Sequence, residues 1–341
     1  MPMTPARLFD LYFNDGRSRK SRLYRGRARL DQLQGRTLPP NLLVDIQRML
    51  NEALALEKKD VREHVEHDAF HLDYIDSDHP NALAFCYGGY AFIGITIPLT
   101  TLLWDICHHL SASPPLVTAL GLNVNECDRD MLHVVLFRLI LTFVVSHEWA
   151  HHVRGHVSRQ SIWVEEIRVA SARGSIEMQS LEADADGYSA YFGLAHLIDS
   201  AEGRLHVVGL LKLEHASRVV QDQVLFSCFL AALAGFVFVL PTPSLEKENL
   251  SGLSHPPQAA RLHFLMQHAV MWCTQNRPLL GMWMTVDRFQ MLVAAVANRL
   301  WGGERWDEWA AQVAFLRSPD GAAYSRDLTT RLDALKAATG R

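Results

Sequence analysis

The sequence predicts an α+β protein that is mainly α-helical, and three observations carry that expectation. An apolar segment of helical length, Met131 to Val157, contains Ser146-His147-Glu148-Trp149-Ala150-His151-His152 near its end. The one convincing β region lies between Phe70 and Ile97. Beyond it the chain reads as helix after helix, with C-terminal candidates over about 257–275, 278–300, 303–317 and 324–338.

Composition bounds the rest. The 341 residues are 49% hydrophobic and 21% charged, which is globular and long enough for one large domain or two ordinary ones. A net charge of −4 is too mild to make nucleic acid or acidic lipid the main partner. Five cysteines, widely spaced and without a C-x-x-C, fit free buried thiols in a reducing compartment better than a disulfide framework. The start, MPMTPARLFDLYF, has no apolar core of signal-peptide length, so a cytoplasmic protein is expected.

In chain order, residues 1–38 read as an irregular segment. It is basic in the middle, with Arg17, Arg19, Lys20, Arg22, Arg25, Arg27 and Arg29. Few aromatics interleave for base stacking, so a solvated tail is preferred to a nucleic-acid arm. Pro39-Pro40-Asn41 opens a helix to about Lys59, striped by Leu43, Ile46, Met49, Leu50, Ala53 and Leu54. Phe70, Leu72 and Tyr74 alternate with His71 and Asp73 as a half-buried strand. Asn81–Cys86, the turn Gly88-Gly89 and Tyr90–Ile97 read as a hairpin ended by Pro98. A free hairpin edge near Ala84–Ile97 can pair with an extended peptide; the plainer reading is an ordinary core hairpin. Leu99–Leu110 is helical, and its His108-His109 point about 100° apart, as surface histidines would. The first half of the segment 131–157 is apolar nearly all round and should cross the core; Arg138 argues against a membrane span. A polar stretch over 158–178 reads as an insertion. Val224–Leu240, without a charge, fits either a buried core helix or membrane insertion.

Three constellations carry chemistry. In His147-Glu148-Trp149-Ala150-His151 the histidines stand one helical turn apart and can share one metal ion. Glu148 follows the first of them, where its carboxylate can reach a water at the metal without being a ligand. In Leu181-Glu182-Ala183-Asp184-Ala185-Asp186, expected to open a helix to about Ala201, Glu182 is the natural third ligand. Asp186, one turn on, can accept the outward N–H of a ligand histidine, whereas Asp184 should face solvent or pair locally. The plainer reading of this cluster is a set of acids favouring a helix N-terminus. In His255-Pro256-Pro257-Gln258-Ala259-Ala260-Arg261 the prolines suit a first helical turn. His255 can serve a substrate oxyanion, and Arg261 can pair with Asp186 or hold the structure. Trp283, Trp301, Trp306 and Trp309 read as packing.

Taken in order, NALAFCYGGYAFIGI, HEWAH, EADAD and HPPQAAR resemble the M48-like gluzincin zinc metallopeptidases, over about residues 80–265. The run His147-Glu148-x-x-His151-His152-Val153-Arg154-Gly155-His156 also resembles phage-exclusion Lit-like peptidases. The resemblance implies one Zn²⁺ held by His147, His151 and Glu182, Glu148 as general base, and Asp186, His255 and Arg261 in supporting places. His156 is not expected to be a ligand. It implies a gluzincin-like core with a small sheet beside the H-E-x-x-H helix, and a peptide substrate along the hairpin edge. The expected organisation is a basic segment over 1–38, a metallopeptidase domain over 39–275 and a helical extension over 276–341. The expected activity is zinc-dependent endopeptidase. The alternatives are a catalytically silent partner-binding module and a membrane-anchored protease.

Overall fold

The computed structural model describes residues 3–14, 24–28, 48, 70–157, 164–165, 174–240, 250 and 252–339. The helix expected over 39–59 and most of the 158–178 stretch lie outside the described residues. The fold is α+β and mainly α, and it divides into two compact units. The first comprises Met1–Trp104 with Val144–Ser171, the second Asp105–Phe143 with Ala172–Arg341.

The first unit is built on a five-stranded sheet. Its elements are helix α1 (Pro5–Asn14) and strands β1 (Tyr24–Arg27), β2 (Phe70–Ser77), β3 (Ala82–Tyr87), β4 (Tyr90–Thr96) and β5 (Val164–Glu165). The strand order is β1-β2-β4-β3-β5. β3 and β4 form the expected hairpin, turning at Gly88 and Gly89, whose φ values of 58° and 80° favour residues without a Cβ. β2 runs parallel to β4 with Leu72 opposite Ile93. β4 is therefore an interior strand, so its length Tyr90–Thr96 offers no edge to a peptide. β3 meets β5 only at Leu83 and Ala84 among the described residues.

Where it is described, over 3–14 and 24–28, the N-terminal segment is not the irregular tail expected. Leu8, Phe9, Tyr12 and Phe13 line one face of α1 and enter an aromatic core with Tyr24, Ile75, Leu83, Phe85 and Phe92. Tyr12 stacks on Phe85 at 4.3 Å and Phe85 on Phe92 at 5.1 Å. Burying each such ring is worth roughly 2–3 kcal/mol, which suffices to order a ten-residue helix that would be marginal alone. Two of the seven basic residues are committed internally: Arg25 forks onto Asp76 and Asp78, and Arg27 pairs with Asp73. Burial pushes the Asp73 carboxyl up, but contacts from His71, the Tyr74 N–H and Arg27 outweigh it and hold the group below its ordinary value. Arg17, Arg19, Lys20, Arg22 and Arg29 lie outside the described residues.

Two helices run from one unit into the other: α2 (Ile97–Ser111), with Pro98 in its first turn, and α4 (Arg129–Val153). The second unit continues with α3 (Pro114–Ala119), α5 (Ile176–Leu194), a π turn (Ala195–Asp199), α6 (Ala201–Leu210) and α7 (Arg218–Val239). α8 (Gln258–Asn276), α9 (Pro278–Trp283), α10 (Val286–Trp301), α11 (Trp306–Arg317) and α12 (Pro319–Thr339) complete it. The stretch expected as one helix over 278–300 is two, because Thr285 caps a fresh start by accepting from the Arg288 N–H.

α7 and its C-cap Leu240 take up the uncharged run Val224–Leu240, and Val224 to Phe238 are all buried. By length and composition α4 and α7 are both apolar enough to cross a membrane; the windows concerned are 78% and 89% buried. Phe238 of α7 packs against Trp301 and Trp309, which accounts for those indoles as core. Trp283 carries Arg288 over its ring at 4.7 Å. All five cysteines are free, and burial raises the thiols of Cys107, Cys228 and Cys273 above their ordinary range.

Candidate metal centre

The end of α4 presents the H-E-x-x-H motif from a rigid place. Ser146, His147, Glu148, Trp149 and His151 are buried. His147 and His151 turn the same way, as a four-residue helical spacing requires, and their Nε2 atoms lie 3.1 Å apart. Two nitrogens on one tetrahedral zinc ion stand about 3.3 Å apart, given Zn–N bonds of about 2.0–2.1 Å. The pair is thus already spaced for a shared ion.

Neighbouring histidines hold this helix end through two contacts that no motif or spacing signals. His151 Nδ1 lies 3.0 Å from His156 Nδ1, just past the helix end. If His151 uses Nε2 as a ligand atom, its Nδ1–H is the donor in that contact, which fixes the ring's tautomer and orientation. His152 Nε2 lies 2.9 Å from the backbone carbonyl of Phe92, and its Nδ1 faces Cys86 Sγ at 3.8 Å. A carbonyl only accepts, so His152 Nε2 carries the proton. That bond ties the helix end to β4.

The acidic cluster sits deeper in its helix than expected. α5 begins at Ile176, with Ser175 accepting from the Met178 N–H as N-cap, not at Leu181. The cluster therefore occupies the second and third turns, where a helix N-terminus no longer accounts for it. Glu182 and Asp186 are buried, and so is Asp184, so of the two places read for it, solvent or a local partner, solvent is not the one it takes. With Glu148 this makes four buried carboxyl groups, each of which needs a partner or an ion to offset its lost hydration.

Asp186 is engaged by Arg261 of α8 through both oxygens, each at 2.8 Å, from Nε and Nη2. The two side chains are 2% and 0% exposed. The Arg261 guanidinium also lies over the Phe236 ring at 5.3 Å. Of the two roles read for Arg261, pairing with Asp186 is the one observed. His255 sits two residues before the N-cap Pro257 of α8, so both prolines precede the helix instead of entering its first turn. Its Nε2 is 3.0 Å from Glu182 Oε2, and its Nδ1 is 2.9 Å from Ser254 Oγ. His255 thus touches the carboxylate expected to be the third ligand.

His147, His151 and Glu182 form one group. Each offers a ligand atom, these atoms all lie within 4.8 Å of one another, and all three residues are buried. Two imidazoles and a carboxylate are the donor set of a catalytic zinc site with a fourth position left for water, so the residues present can hold a metal ion. No protein-family model matches this chain, and no curated protein or solved structure matches it either.

Proposed function

We propose that this chain is a zinc-dependent endopeptidase of M48-like, gluzincin type. The observation that carries the reading is the buried group of His147, His151 and Glu182 around an H-E-x-x-H helix. A bound zinc ion would act as a Lewis acid toward the scissile carbonyl and make an attacking water more acidic.

The chain's own residues do the rest. His147 and His151 would hold the ion, and His156 keeps the His151 ring in register. Glu182 completes the donor set, and His255 and Ser254 orient its carboxylate. Asp186 and Arg261 tie α5 to α8, so that Glu182 and His255 keep their spacing. Glu148, next to the first ligand, accepts the proton of the attacking water on its carboxylate and returns it to the leaving amine. The substrate is a peptide held in extended form beside the hairpin; β4 is interior and cannot itself supply the edge.

Glu148→Gln is the test. The amide keeps the shape and cannot take the proton, so the variant should bind zinc as the wild type does and lose cleavage of a casein or peptide-library substrate by about 10² or more. Cleavage at the wild-type rate by that variant, or a wild type that cuts nothing with zinc bound, would refute the reading. The second outcome would favour a silent peptide-binding module.

A further inference from the structure

We infer that Gln179 and Tyr324 are positioning residues: through them the last helix, α12, fixes the segment carrying His255 against Glu182. The segment reaches Ser254 and His255 through Leu250, Gly252 and Leu253, and its described residues Gly252–His255 lie in neither helix nor strand. Its carbonyls are instead bound from α5. The Gln179 side-chain amide nitrogen donates to the Leu250 carbonyl at 2.7 Å and to the Leu253 carbonyl at 3.0 Å. Gln179 is fully buried, one turn before Glu182.

An amide side chain can bind two carbonyls only if its nitrogen faces them, and its own oxygen then needs a donor. That donor is Tyr324 on α12, whose hydroxyl lies 2.6 Å from Gln179 Oε1. Burial holds the Tyr324 phenol well above its ordinary titration range, so it remains a donor at working pH. The same helix is seated on α5 nearby: Arg331 pairs with Glu177, and Leu328 and Leu332 are buried. From the other side the Gly174 N–H donates to the Gly252 carbonyl at 2.7 Å. A Cβ at Gly174 would stand 2.0 Å from the Leu253 oxygen, so this approach requires glycine. The segment is gripped at both ends, and the grip closes two residues before the histidine that meets Glu182.

The contact of His255 with Glu182 thus depends on a hydroxyl from the far end of the chain. The relevance to catalysis rests on Glu182 being the third zinc ligand; the clamp itself does not. The test uses full-length protein with Tyr324→Phe, which removes one donor and little else, and Gln179→Met, which removes all three contacts at similar volume. Hydrogen exchange of the metal-free proteins should quicken over residues 250–255, by about 5-fold in Tyr324→Phe and by 50-fold or more in Gln179→Met, given the usual worth of a buried hydrogen bond. Exchange in α8 and α10 should stay as in the wild type. In the cobalt-loaded proteins the visible d–d absorption should shift in both variants, because Glu182 is no longer held by His255. Unchanged exchange over 250–255 in Gln179→Met, or a uniform rise across the whole unit, would overturn the inference. A wild type that takes up no cobalt would sink the metal reading alone, and the exchange result would still decide the clamp.

Discussion

Replacing Asp186 by alanine leaves the Arg261 guanidinium buried with its principal counter-charge gone. The two groups share two hydrogen bonds of 2.8 Å and are almost fully enclosed, so water cannot take over the lost contact. Stranding one member of a buried pair costs about 3–5 kcal/mol, a large part of a typical total stability of about 5–15 kcal/mol. For a unit of this size each kcal/mol moves the melting temperature by about 2–4 °C, so the single variant should melt about 10 °C lower. Replacing both partners by apolar residues of similar volume, Asp186→Leu with Arg261→Met, leaves no stranded charge and should recover most of that loss. Calorimetry of the wild type, Asp186→Leu, Arg261→Met and the double variant closes a double-mutant cycle and gives the coupling directly. Zinc affinity, measured by chelator competition, should fall in the single variant, because Asp186 stands one turn from Glu182. A drop of less than about 2 °C in Asp186→Ala, or a double variant no more stable than the single, would refute the reasoning.

The contact between His156 and His151 predicts that His156→Phe weakens zinc binding by about 10–100-fold, while His156→Asn, which can still accept from Nδ1–H, retains most of it. Equal affinities in both variants would show that the contact does not orient the ligand. A second expectation concerns acid stability. Burial first, and then the positive charge of Arg138, depress His196 to about 4. In the unfolded chain it titrates near 6.5, so between the two values the unfolded state binds a proton that the native state refuses. This contribution is fully present above about pH 6.5 and is lost as the pH falls toward 4, by about 3 kcal/mol in all. Urea midpoints from pH 7 to 4 should fall less steeply in His196→Leu than in the wild type, and parallel curves would contradict the assignment.

What could be read in the sequence was whatever depends on local periodicity. The H-E-x-x-H helix announced itself because Met131 to Val145 is apolar nearly all round, and the hairpin because Gly88-Gly89 interrupts two β-prone runs. The spacing of Glu182 and Asp186 already placed both on one helical face. Three things escaped. α1 was hidden because its four core residues sit beside a basic stretch that dominates composition, and only the sheet they pack on reveals their purpose. The start of α5 was hidden because its cap, Ser175, looks like any residue of a polar connection. The supporting contacts of His152, His156 and Gln179 join residues whose pairing no spacing encodes. Gln179 and Tyr324 are 145 positions apart. For Asp184 the helical angle left solvent and a local partner open, and only the packing, which buries it, removes the first.

The metal content of the purified chain tests the central claim most directly. Protein prepared without chelator, or reloaded with zinc after chelation, should carry about one ion per chain by elemental analysis, as a two-histidine, one-carboxylate site holds. His147→Ala and Glu182→Ala should each lose it while remaining folded by circular dichroism. A folded wild type that takes up no zinc, or a Glu182→Ala variant that binds it as tightly as the wild type, would contradict the account.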